Sequence, residues 1–150
     1  MSDHDEVVAR TVTALGLVGI ALIHILELPG TLGDQAYIGA LFIAAIVSSL
    51  LLTAILSRTD DSRAWIATGG FAALVLIAFL FSRTTGLPGF TDYKGVWDDS
   101  SGLESMVVEG LVVLVSSAVL ATRSTALAPQ REATRDRSGR APRPGPAALG

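Results

Sequence analysis

Residues 37–56 read YIGALFIAAIVSSLLLTAIL, twenty positions without one charged side chain. A helix rises about 1.5 Å per residue, so about 20 apolar residues cross the ~30 Å hydrocarbon core of a bilayer. Such a helix also satisfies its own backbone N–H and C=O groups where no water can. The stretch therefore predicts a transmembrane helix. Three more windows of the same kind flank it. Residues 7–28 are interrupted by Arg10, His24 and Glu27, residues 64–81 are uncharged, and residues 103–121 carry Glu104 and Glu109. One apolar helix can hide in a soluble core. Four in 150 residues leave too little polar chain to cover them. The expected fold is an all-α membrane protein, a four-transmembrane-helix bundle over residues 1–121.

Composition points the same way. Half of the residues are hydrophobic and 17% are charged, against about 25% charged in a soluble domain. There is no cysteine, which excludes disulfides, thiolate metal sites, iron–sulfur clusters and a Cys nucleophile. Two histidines, His4 and His24, speak against a multi-histidine metal site. A cleaved signal peptide fits poorly, because Asp3, Asp5 and Glu6 make the region before the first apolar stretch acidic.

Lys and Arg near helix ends set the expected orientation. Arg10, Arg58, Arg63, Arg123, Arg131, Arg135, Arg137, Arg140 and Arg143 fall on one side, and Arg83 and Lys94 on the other. Both termini are therefore expected in the cytoplasm of a bacterial cell, with the protein in its plasma (inner) membrane. Residues 122–150 are rich in Arg and Pro and poor in large apolar side chains. They form an expected disordered cytoplasmic tail, which anchors topology or docks on anionic lipid.

The tripeptide Leu-Pro-Gly occurs twice, at 28–30 and 87–89, each time after an odd-numbered apolar stretch. Proline halts a helix and glycine permits a reversal, so both read as helix stops. Two parallel helical hairpins are one reading of this repeat, and two unrelated turns are the other. In the second outer loop Phe90, Tyr93 and Trp97 suit the headgroup level, as do Tyr37 and Trp65 at helix ends. Trp97 could also contribute to a ligand site. Ser101 with Glu104 matches a capping box, Asp98 and Asp99 suit a helix N-terminus, and Asp34 is placed to cap the second helix.

Removing caps and anchors leaves His24, Glu27, Arg83 and Glu109. Ionisable groups inside a bilayer are costly and face the bundle interior. His24 and Glu27 share a helix face. All four fall in the same, outer half of the bundle, with Glu109 deepest. Two readings stand. One is a packing cluster in which Arg83 bridges Glu27 or Glu109. The other is a site opening outward: a proton or ion relay, or a small ligand pocket. A hard metal held by His24, Glu27 and Glu109 would be repelled by Arg83. Small residues (Ala40, Ala44, Ser48; Gly69, Ala73; Ser117, Ala121) recur every four positions and suit close helix contact.

No catalytic motif is present. The leading expectation is a non-enzymatic accessory or interaction protein, working with a membrane-protein partner or a second copy of itself. A small transporter or proton/ion conductor using the polar cluster is the alternative. A redox-complex subunit holding a cofactor through His24 comes third. Membrane lipid is an expected partner; nucleic acid, metal and cofactor are not.

With His24, Glu27 and the segment Ser82-Arg83-Thr84-Thr85-Gly86-Leu87-Pro88 in view, residues 12–121 resemble a family of small four-helix membrane proteins common in actinobacteria. That family shows a His followed by an acid in helix one and Ser-Arg-Thr-x-Gly-Leu-Pro after helix three. It also has a Gly-x-x-x-Phe-like start to helix two and an acid in helix four. Here Gly39-Ala40-Leu41-Phe42 is one residue short of that start, and Leu28 stands where a second His often follows the acid. The resemblance implies the fold and a bacterial source, and supplies no activity.

Overall fold

A computed structural model describes residues 2–31 and 35–139, with side chains up to Ala126. The backbone forms four helices, α1 (Asp3–Thr31), α2 (Ala36–Leu56), α3 (Ser62–Thr84) and α4 (Ser100–Gly139). All four are long and apolar enough to span a membrane; in α4 that stretch is Ser100–Ala126. Among the described residues there is no strand, only an isolated bridge between Leu87 and Phe90. The expected four-helix bundle is the observed fold.

The helices outrun the apolar windows because their polar ends also suit helix. Asp3, Asp5 and Glu6 fill the first turn of α1, where carboxylates meet the positive end of the helix dipole. Asp61 caps α3, accepting from the Arg63 N–H at 2.9 Å. α4 continues as helical backbone beyond the expected boundary at residue 121. The end of the tail, residues 140–150, and the expected cap Asp34 lie outside the described residues.

The two Leu-Pro-Gly tripeptides differ in structure. Pro29 lies inside α1, which runs on to Thr31. Proline lacks an N–H, so the helix can carry it near its end at the loss of one hydrogen bond. The Thr31 hydroxyl donates to the Leu28 carbonyl at 2.9 Å. After α3 the stop comes earlier, at Gly86. Its φ of +81° suits glycine best, and both Thr85 and Gly86 amides fold back onto the Phe81 carbonyl. Residues 87–90 then make a tight turn, with Leu87 and Phe90 exchanging backbone bonds of 2.8 and 2.9 Å and Gly89 at φ +69°. Pro followed by positive-φ Gly is the sequence of a type II turn. The repeat is thus not one of local structure, although the chain does pair as two helical hairpins, α1–α2 and α3–α4.

Contact between the hairpins is uneven. α1 packs extensively on α4, whereas α2 and α3 touch sparsely. Gly16 explains the close α1–α4 approach, since a Cβ there would sit 2.5 Å from Val112 Cγ2. Gly69 packs on Ser116 in the same way, at 3.0 Å. Of the other small residues, Ala40, Ala44, Ser117 and Ala121 are exposed.

Two apolar layers fill the bundle. Leu56, Ala64, Trp65 and Val119 form one at the end bearing the N-terminus. Trp65 is fully buried there, so it is a core residue and not an interfacial anchor. Leu17, Ile20, Ala72 and Val112 form the second, nearer the middle. Beyond the first layer, Arg10 and Arg123 knit the helix ends together through Glu6 and residues 59–62.

Candidate functional site

Above the middle layer the bundle does not close. A cavity of about 340 Å³ lies between α2 and α3, walled at the back by α1 and α4. It forms where the hairpins meet least. Phe71 lines it and also packs against the Leu17 layer, so that layer is its floor. Most of its wall is apolar, including Ile38, Leu41, Val75 and Ala78. All four residues singled out in the sequence, His24, Glu27, Arg83 and Glu109, line it.

His24 is buried on α1. Its Nδ1 lies 2.8 Å from the Ile20 carbonyl, and its ring meets Phe42 of α2 at 4.9 Å. Glu27 follows one turn later and is half-buried. Glu109 on α4 has no exposed surface. Ser105, one turn before it, donates to Oε1 at 2.6 Å. Oε2 is buried without a partner. No three His, Asp or Glu side chains among the described residues come together as a metal site.

Arg83 is 5% exposed at the C-terminal end of α3. Its guanidinium lies between two rings, 4.8 Å from the Phe79 centroid and 4.7 Å from that of Tyr93. Nη2 donates to Asp99 Oδ2 at 2.6 Å, while Nε and Nη1 are buried without partners. The expected bridge to Glu27 or Glu109 is therefore not made. Glu109 lies seven residues beyond Gly102, about 10 Å along α4, while Asp99 sits beside Arg83 at the helix start.

Asp99 has a second task. It precedes α4 and accepts from the Ser101 hydroxyl at 2.9 Å. Burial alone would push its carboxyl up, but bonds from Ser101, Arg83 and the Gly102 backbone outweigh this and hold it below the ordinary carboxylate value. The cap is thus Asp99; Ser101 serves it, and Glu104 stays exposed, so no capping box forms. In the loop, Tyr93 and Phe90 line the cavity, whereas Trp97 is 45% exposed and stands outside its wall. Tyr37 ties α2 to this loop, its hydroxyl donating to the Pro88 carbonyl at 2.6 Å.

Sequence reasoning placed Asp99 at the start of helix four and Tyr93 at the headgroup level without joining either to Arg83, and it passed over Ser105. A signal existed for Ser105, which stands four residues before a membrane-embedded Glu and so on the same face. Comparison with protein families, with curated proteins and with solved structures gives no match.

Proposed function

We propose that the protein is a non-enzymatic, membrane-embedded binding protein that takes a small amphipathic molecule into the α2–α3 cavity. One observation carries this reading: a cavity of about 340 Å³ in which apolar walls surround a few buried polar groups. Ligand sites have this composition and are of this size or larger. Its place at the sparse α2–α3 seam gives an amphipathic molecule a lateral way in from the bilayer. The Leu17 layer beneath favours a binding site with access from one half of the bundle over a conduit through it.

The Lys and Arg count argues for cytoplasmic termini, which would turn the cavity outward in a bacterial plasma membrane. A ligand-bound form could then act on a membrane-protein partner. Transport is the second reading, favoured by the partnerless Glu109 carboxylate oxygen at the cavity's deep end; it requires the Leu17 layer to part.

Native mass spectrometry of protein released from mild detergent tests the first reading. Ala78 is exposed and lines the cavity, so Ala78→Phe narrows the mouth without touching the core. Wild type should retain a small amphiphile that Ala78→Phe loses. Equal retention by both, or none by either, refutes the reading. A flux assay in proteoliposomes that finds uptake abolished by Glu109→Gln would favour transport instead.

A further inference from the structure

The charges around the cavity do not balance. Arg83 is already matched by Asp99. The other ion pairs of the described residues join Arg10 and Arg123 to Glu6 and Asp60 at the opposite end. Glu27 and Glu109 have no such cation. His24 lies one turn from Glu27, but its Nδ1 is engaged with the Ile20 carbonyl and no ion pair of the described residues includes it. Of the two acids, Glu109 is the one enclosed by protein, with one oxygen held by Ser105 and the other unpartnered.

A buried carboxyl is either protonated or paired with a cation, because an unpaired charge in an apolar medium is heavily penalised. The cavity wall also carries Phe42, Phe71 and Phe90, besides Phe79 and Tyr93, whose rings Arg83 already meets. Ring faces attract cations, most strongly where water is excluded. Both features select the same sign of ligand. An anion would meet two acids without a basic partner and the one arginine already neutralised.

Resting on the binding reading above, we propose that the cavity's ligand is a lipophilic organic cation. Its ammonium head donates to Glu109 Oε2, and its apolar body lies among the aromatic rings and leaves through the α2–α3 seam. Where Oε2 carries a proton, its O–H bond breaks and the proton leaves to solvent as the ammonium N–H takes its place; no other bond changes.

Three water-soluble probes share one body and differ in head charge: 4-phenylbutylammonium, 4-phenylbutanol and 4-phenylbutyrate. Their binding is measured by calorimetry on the full chain in phosphatidylcholine nanodiscs, with empty nanodiscs subtracted. The ammonium should bind wild type at least tenfold tighter than the alcohol, and the butyrate weakest. Glu109→Gln keeps the side-chain size and an acceptor for Ser105. It should cut the ammonium-over-alcohol preference at least tenfold, with a thermal melt confirming that the variant is folded. Ala78→Phe should weaken all three probes.

Equal binding of ammonium and alcohol, indifferent to Glu109→Gln, overturns the cation inference and leaves the binding reading standing. Tightest binding of butyrate overturns it in favour of the free Arg83 donors. Failure of all three probes to bind, with Ala78→Phe without effect, overturns both.

Discussion

Arg83 and Asp99 are separated by the whole α3–α4 loop, yet their side chains meet at 2.6 Å in the wall of the cavity. The carboxylate caps α4 at its start and neutralises an arginine that lies over two aromatic rings. Removing Asp99 would strand the buried Arg83 charge, and leaving a buried ion unpaired costs more than the pair's net worth. Asp99→Asn keeps a capping side chain and removes the charge. It should lower stability by about 1.5–3 kcal/mol, the range for a hydrogen bond to a charged group. Asp99→Ala should lose about 1 kcal/mol more, the usual worth of an N-cap. Melts in detergent at neutral pH check both, and equal stability of the two variants would count against the capping role.

The same carboxyl sets an acid dependence. Asp99 is held below its ordinary value in the folded protein, while the unfolded chain titrates near about 3.9. Unfolded protein therefore binds protons first as pH falls. The stabilisation is complete above about pH 4 and is lost on descending through the lower, folded value. The stability difference between wild type and Asp99→Asn should hold from pH 7 to 5 and shrink below 4. A difference that stayed constant down to pH 2.5 would refute the linkage.

Gly102 separates packing from helix propensity. A Cβ there would meet Arg83 Nη2 at 2.6 Å, Phe79 Cε2 at 2.8 Å and Asp99 Oδ2 at 2.9 Å. Gly110, two turns on in the same helix, has nothing within 4 Å of the equivalent point. Alanine favours helix over glycine by about 0.5–1 kcal/mol. Gly110→Ala should therefore raise stability slightly. Gly102→Ala should lower it by about 1–3 kcal/mol, the cost of overpacking, since neither the ion pair nor Phe79 can stay in place. Matched effects of the two substitutions would show that the Arg83 pair does not press on this glycine.

A second glycine fixes the bundle itself. At Gly16, the added methyl would lie 2.5 Å from Val112 Cγ2 and force α1 away from α4. Gly16→Ala should destabilise by about 1–3 kcal/mol. Val112→Ala makes room for that methyl, so the double variant should be more stable than the sum of the two single effects predicts, a coupling expected only for residues in contact. Additive effects would mean that the helices adjust elsewhere.

The fold was legible because a membrane span is a property of one segment alone, and residues 37–56 declare it without reference to any neighbour. The polar cluster was legible for a related reason: an ionisable group such as Glu109 within a span is costly wherever it points. The choice of partner was not. Arg83 could reach any acid at its depth, and Asp99 already had a local explanation as a helix-start residue. Nor could the tripeptides at 28–30 and 87–89 be told apart, because Gly86, just upstream of the second, ends its helix before the proline is reached. Gly16 and Gly19 sit three apart in an apolar run, off the four-residue spacing that marks the other small residues.

At the far end from the cavity, Arg10 donates to the carbonyls of Leu56 and Thr59, at 2.5 and 2.7 Å, as well as to Glu6 and Asp60. Glu6 also accepts from Arg123 at 2.5 Å, so one carboxylate joins α1 to α4 while Arg10 joins α1 to the end of α2. Leu56 is the last residue of α2, and its carbonyl is among those a helix leaves unsatisfied. The guanidinium fork reaches carbonyls and carboxylates together, a geometry that an ammonium cannot copy. Arg10→Lys should therefore lose about 1–2 kcal/mol despite keeping its charge, as expected for charged hydrogen bonds. Salt sorts the contributions. Ion pairs at exposed groups such as Asp60 are screened, whereas bonds to backbone carbonyls are not. Raising sodium chloride from 0.05 to 1 M should narrow the gap between wild type and Arg10→Ala only in part. Complete disappearance of the gap would assign Arg10 to surface charge alone, and an unchanged gap would assign it wholly to the α2 carbonyls.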